Sequence, residues 1–146
     1  MQHTLASLIF LAGIVQLGIL TASALVPFKL EWRASLRALP RLHRQLYWVY
    51  GGYVVLSIIA LAVISVLNAP ALASGSLLAR SVCAYAAIFW GVRLGLQAVL
   101  DVKPHLTGFW WRAGYHSLSV AFIYLVGVFA VAAMAPRSLT AVLLIR

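Results

Sequence analysis

Residues 89–101 read FWGVRLGLQAVLD. The fold turns on whether this run lies inside a membrane despite Arg93. The rest of the chain decides it. Of 146 residues, 64% are hydrophobic and only 9% are charged. Soluble domains carry about 25% charged residues. A fold of this length has too little interior to hide that much apolar surface from water. Lipid must therefore replace water around much of the chain, and Arg93 belongs to a buried span.

Working outward from 89–101, four windows reach the roughly 20 mostly apolar residues that a span needs. They are 5–26, 46–67, 76–98 and 113–135. In hydrocarbon every backbone group must be paired within its own segment, so all four are expected to be helices. The expectation is an all-α, integral membrane four-helix bundle forming a single domain over 1–146. An amphipathic basic connector joins the first two spans. The third and fourth spans are separated by DVKPHLTGFWWR, residues 101–112. There Pro104 and Gly108 break helix, and Trp110 and Trp111 suit a membrane interface. The first span also has to be weighed as a secretory signal, because TASALVP (21–27) offers an Ala22-x-Ala24 cleavage pattern. No Lys or Arg precedes the apolar run, which favours a retained span.

Eleven Lys and Arg against two acids, Glu31 and Asp101, give a formal net charge of +9. In a soluble protein that imbalance would suggest nucleic acid, but no motif supports such binding here. The charges gather instead beside the spans. Lys29, Arg33, Arg37, Arg41 and Arg44 lie between the first two, and Lys103 and Arg112 between the last two. The intervening NAPALASG (68–75) has none. The positive-inside rule then places both basic loops in the cytoplasm and both termini outside, in a bacterial inner membrane. Arg137 and Arg146, in the tail, point the other way.

The connector FKLEWRASLRALPRLHRQLYW (28–48) repeats a cation every four residues at Lys29, Arg33, Arg37 and Arg41. Leu30, Trp32, Leu36 and Leu39 fall between them. As a helix it would show a cationic and an apolar face, suited to anionic headgroups or an acidic partner. Pro40 should bend or restart it.

Arg93 lies roughly 12 Å before Asp101 along a helix rising 1.5 Å per residue. Gln97 and Asp101 follow at four-residue steps, a slowly turning stripe. Gln97 can hydrogen-bond either charged neighbour. On the opposite side Ala87, Gly91 and Gly95, in line with Cys83, form a small-residue ridge. It allows close approach by another helix of the bundle or of another protomer. Gln16, Tyr53 and His116, with Tyr50, Ser57, Ser117 and Ser119, are expected near the same cytoplasmic end as Arg93. They suggest a polar region between helices with Arg93, Gln97, Tyr53, His116 and Gln16 as its ligand-binding set.

Little else offers chemistry. The single cysteine, Cys83, excludes a thiol pair within one chain. Small multidrug transporters place an acid in their first span, and 5–26 has none. The histidines lack metal-ligand spacing. A haem held by His43 and His116, each just before a span, is the one cofactor weighed, and both sit shallow for it. No paired carboxylates or phosphate-binding loop occur. Two functions remain. The first is a non-catalytic accessory or scaffold subunit binding lipid and a membrane partner, either another protein or a second copy. The second is a small enzyme or carrier that handles an anionic amphiphile, such as a lipid phosphate, a carboxylate or a quinone-like molecule, at Arg93.

Overall fold

A computed structural model describes residues 2–29, 36–99 and 109–136, with side chains placed for 2–23, 36–37, 39–99 and 113–136. The elements in order are α1 (Gln2–Lys29), a 3-10 turn (Leu36–Ala38), α2 (Arg41–Leu67), the single turn α3 (Ala69–Leu72), α4 (Leu77–Val99) and α5 (Phe109–Met134). The four long helices match the four expected spans, and each is long and apolar enough to cross a membrane. The protein is an all-α four-helix bundle of the membrane-spanning type.

Its outer surface shows why lipid is needed. Phe10, Leu11 and Ile14 on α1, Leu56 and Val63 on α2, Ile88 and Val92 on α4, and Val120 and Ile123 on α5 are all exposed. In water each would leave apolar area unburied, at about 25 cal/mol per Å². In hydrocarbon that cost disappears, and association rests on packing and hydrogen bonds.

Two antiparallel hairpins make the bundle. α1 packs along α2, α4 packs along α5, and contacts between α1 and α5 join the pairs. Small residues set the first hairpin. A Cβ on Gly13 would lie 2.6 Å from Val66 Cγ2 and 3.1 Å from the Ala62 carbonyl oxygen, so only glycine fits where α1 crosses α2. Ile9, Ala12, Gln16 and Ile19 continue the buried stripe of α1, facing Ile58, Leu61, Ala62 and Ser65. In the second hairpin Trp90 is fully buried, its ring centroid 5.4 Å from Phe122 and 5.3 Å from Phe89.

The turn between the hairpins is tightly specified. Pro70 has no N–H for the Val66 carbonyl, so α2 stops at Asn68 and a new turn, α3, begins there. The chain keeps its heading nonetheless, since the Leu72 N–H donates to the Asn68 carbonyl at 2.9 Å. α3 lies on α1. Gly75 then adopts a left-handed φ of 69°, and a Cβ there would collide with the backbone of Pro136. Ser76 caps α4, its Oγ accepting from the Ala79 N–H at 3.2 Å. Arg80 Nε donates to the Ala133 carbonyl at 2.8 Å, satisfying one of the free carbonyls near the end of α5.

The other end is built differently. Pro40 stands at the N-cap of α2 with φ −50° and ψ 146°, so the chain does restart there as expected. From Arg41 to Tyr53 every side chain except the half-buried Arg44 is exposed, on all sides of the helix. Burial on α2 begins only at Ile58. The connector is not one continuous helix over its cation repeat. Residues 30–35 lie outside the described residues, and after them a single 3-10 turn carries a buried Leu36 and an exposed Arg37. Arg33, Glu31, Asp101, Lys103, Pro104, Arg137 and Arg146 lie outside the described residues.

Candidate functional site: the polar seam of α4

The core-facing stripe of α4 runs through Ala79, Cys83, Ala86 and Trp90, all buried. The same three- and four-residue steps carry it on to Arg93 and Gln97. Apolar packing thus gives way, within one helix face, to an indole, a guanidinium and an amide.

Gln97 is held between α4 and α5. Its Nε2 donates to the Tyr115 carbonyl at 3.1 Å and to Ser119 Oγ at 3.0 Å. Tyr115 returns its hydroxyl to the Gln97 carbonyl at 3.0 Å. Ser119 Oγ donates in turn to the Tyr115 carbonyl at 3.0 Å. This reciprocal clamp closes the α4–α5 pair near its Val99 end. Gln97 is therefore committed to α5 rather than to Arg93, while the expected alternative partner, Asp101, lies outside the described residues. Its Oε1 remains buried without a partner, as does Trp90 Nε1 one turn before Arg93.

Arg93 itself is half-buried and makes no hydrogen bond or ion pair with any described residue. Neither of the chain's two acids, Glu31 and Asp101, is among the described residues, so no carboxylate there can neutralise it.

The other expected members do not join this seam. Gln16 is fully buried, but its Nε2 reaches Ser65 Oγ at 3.5 Å, in the α1–α2 hairpin. Ser65 lies twelve residues from Tyr53 on α2, roughly 18 Å along the axis. Placing Gln16 beside Tyr53 fails because the hairpin register pairs Gly13 and Gln16 with the last turns of α2, not its first. Gln16 Oε1 is a third buried atom without a partner. Tyr53 is 65% exposed. His116 is exposed and only meets the Tyr115 ring edge-on at 5.7 Å. His43, in the first turn of α2, is exposed too. No group of three or more His, Cys, Asp or Glu side chains gathers among the described residues. The five-residue pocket expected from the sequence is thus not assembled. Arg93 and Gln97 share a face, and the other three lie elsewhere.

The ridge of Ala87, Gly91 and Gly95 lies off this seam. A Cβ on Gly91 or Gly95 would meet nothing within 4 Å. Among the described residues no helix approaches the two glycines closely, whereas Ala87 is half-buried against the core; of the two expected neighbours, a helix of this bundle is not found there. α5 meets α4 on the Trp90–Gln97 side instead, because the aromatic and amide contacts lie there.

Sequence reasoning passed over Trp90, Tyr115 and Gly13. Trp90 lies mid-span, far from the interfaces that tryptophans favour, which signals a packing role. Tyr115 precedes Ser119 by one helical turn, a pairing hidden by the neighbouring His116. Gly13 was signalled by Ala12–Gly13 beside the small residues Ala62, Ser65 and Ala69.

Comparison with protein-family models, curated proteins and solved structures returns no match to this chain. The class is set by the fold, a four-helix membrane bundle, and function has to be read from its surfaces.

Proposed function

We propose that this protein is a non-catalytic accessory or scaffold subunit of a bacterial inner membrane. It would offer the Gly91–Gly95 face of α4 to a helix of another membrane protein or of a second copy. The uncovered ridge carries the reading. A glycine inside a helix costs about 1 kcal/mol relative to alanine, and the return is close backbone approach. At Gly13 that return is visible against Val66 and Ala62. At Gly91 and Gly95 it is absent among the described residues, as it is at Gly18 and Gly127, but these two stand one turn apart on one face, where a partner helix would supply it.

The basic connector supports the same reading. Lys29, Arg33, Arg37, Arg41 and Arg44 would rest on anionic headgroups at the cytoplasmic surface, each cation near the surface contributing about 1 kcal/mol. Tyr47, Trp48, Tyr50 and Tyr53 follow directly and are exposed, as interfacial aromatics are. Both termini then lie on the opposite side.

The test is cysteine cross-linking in native membranes. Cys83 is fully buried and is replaced by alanine to give a silent background. Gly95→Cys should give a cross-linked species with a helix-reactive reagent, and Phe10→Cys on the exposed face of α1 should not. Gly91→Leu should abolish the adduct formed from Gly95→Cys. Migration of the wild type in mild detergent as a lone monomer, with equal labelling at 10 and 95, would refute the proposal.

A further inference from the structure

Arg93 is a permanent charge inside a span, and no described residue satisfies it. An intramembrane arginine without an anionic partner is costly, by about 2.5–3.5 kcal/mol on insertion scales. The described residues contain no carboxylate to offset that cost. A counter-charge is available at the depth the guanidinium can reach. Arg93 lies six residues before the last residue of α4, Val99, roughly 9 Å along the axis. A long side chain directed toward that end approaches the headgroup layer, where phosphate is the abundant anion.

We infer that Arg93 binds the phosphate of one anionic phospholipid, whose acyl chains run up the lipid-facing side of α4. A planar guanidinium matches phosphate in a two-pronged geometry, which a point charge cannot. The lane for the chains is present beside it. Tyr85 and Val92 are exposed on the turns above Arg93, and Leu96 on the turn below. The guanidinium charge favours an anionic headgroup over a zwitterionic one, whose own cation repels it. Arg93 lies on the opposite side of α4 from Gly91 and Gly95, so the phosphate seat stands or falls independently of the partner ridge.

The test is native mass spectrometry of the full chain from mild detergent. It is titrated with phosphatidylglycerol and, separately, with phosphatidylcholine of the same acyl chains. Wild type should retain one phosphatidylglycerol per chain in preference to phosphatidylcholine. Arg93→Gln should weaken that adduct about tenfold, the scale of one lost charge-assisted hydrogen bond. The double variant Arg41→Gln with Arg44→Gln should keep it, which separates this seat from general attraction to the basic connector. Arg93→Lys keeps the charge without the fork and should bind with intermediate strength, so the seat is readable even if the glutamine variant misfolds. Inorganic phosphate should not displace the lipid, because the apolar lane contributes to binding. Unchanged binding in both Arg93 variants would overturn the inference. So would loss of the adduct in the connector variant alone. Displacement by inorganic phosphate would reassign Arg93 to a soluble anion.

Discussion

The two ends of this bundle are built on opposite terms. At the Gly75 end, a left-handed glycine, a capping serine and an arginine donating to the Ala133 carbonyl lock the hairpins together. Just below, Gly13 seats α1 against α2, and Trp90 fills the space between α4 and α5. At the Arg41 end α2 stands exposed on every side through Tyr53. Among the described residues Arg93 has no partner there, and nothing lies within 4 Å of a Cβ on Gly95. The contrast shows where side chains are committed to the fold. One end is locked throughout, whereas at the other only the α4–α5 pair is clamped, through Gln97, Tyr115 and Ser119, and the start of α2 stays exposed.

Mutations should separate the two ends, beginning with the largest effect. Trp90→Ala removes a fully buried ring at the α4–α5 seam and should cost about 3–5 kcal/mol. Thermal unfolding in detergent, followed by helical circular dichroism, would show it as the steepest loss. Gly13→Leu drives a side chain into Val66 and the Ala62 carbonyl, and should cost about 1–3 kcal/mol on the same assay. Gly95→Leu should leave isolated-protein stability unchanged or slightly raised, because glycine is the poorer helix former by about 1 kcal/mol. A large loss there would mean that the ridge is covered within the chain.

Gln97→Leu breaks the clamp on Tyr115 and Ser119. Interhelical hydrogen bonds in membranes average about 0.6 kcal/mol, so the expected loss is modest. Tyr53→Ala, exposed at the open end, should move stability by less than about 0.5 kcal/mol. An effect there as large as that of Trp90→Ala would erase the distinction between the ends.

How much of this was legible in the sequence follows from the physics of each feature. Span number and type were readable because backbone pairing in hydrocarbon leaves no alternative to helix, and the apolar runs are long. Pro40 and Ser76 marked helix starts through local chemistry alone. Register was not readable. Gln16 looked close to Tyr53 because both lie a similar distance from the connector. The pairing of Gly13 with Ala62 and Val66 sets a different register, and it depends on contacts between helices distant in sequence. The seam was half legible. The four-residue spacing joined Arg93 and Gln97, but which helix would cover them depended on Trp90 and Tyr115. The ridge was recognised by its spacing, while its exposure depends on where α5 sits.

The most direct test of the central claim, a packed end and an open end within one membrane bundle, is a spin-label scan along α2 in lipid bilayers. Labels would be placed singly from residue 45 to residue 66, and collision with oxygen measured at each. The account predicts near-uniform accessibility from 45 to 53. A period of about 3.6 residues should begin near Ile58, with minima at Ile58, Leu61, Ala62 and Ser65. A helical period of protection running unbroken from 45 to 66 in the isolated chain would contradict it.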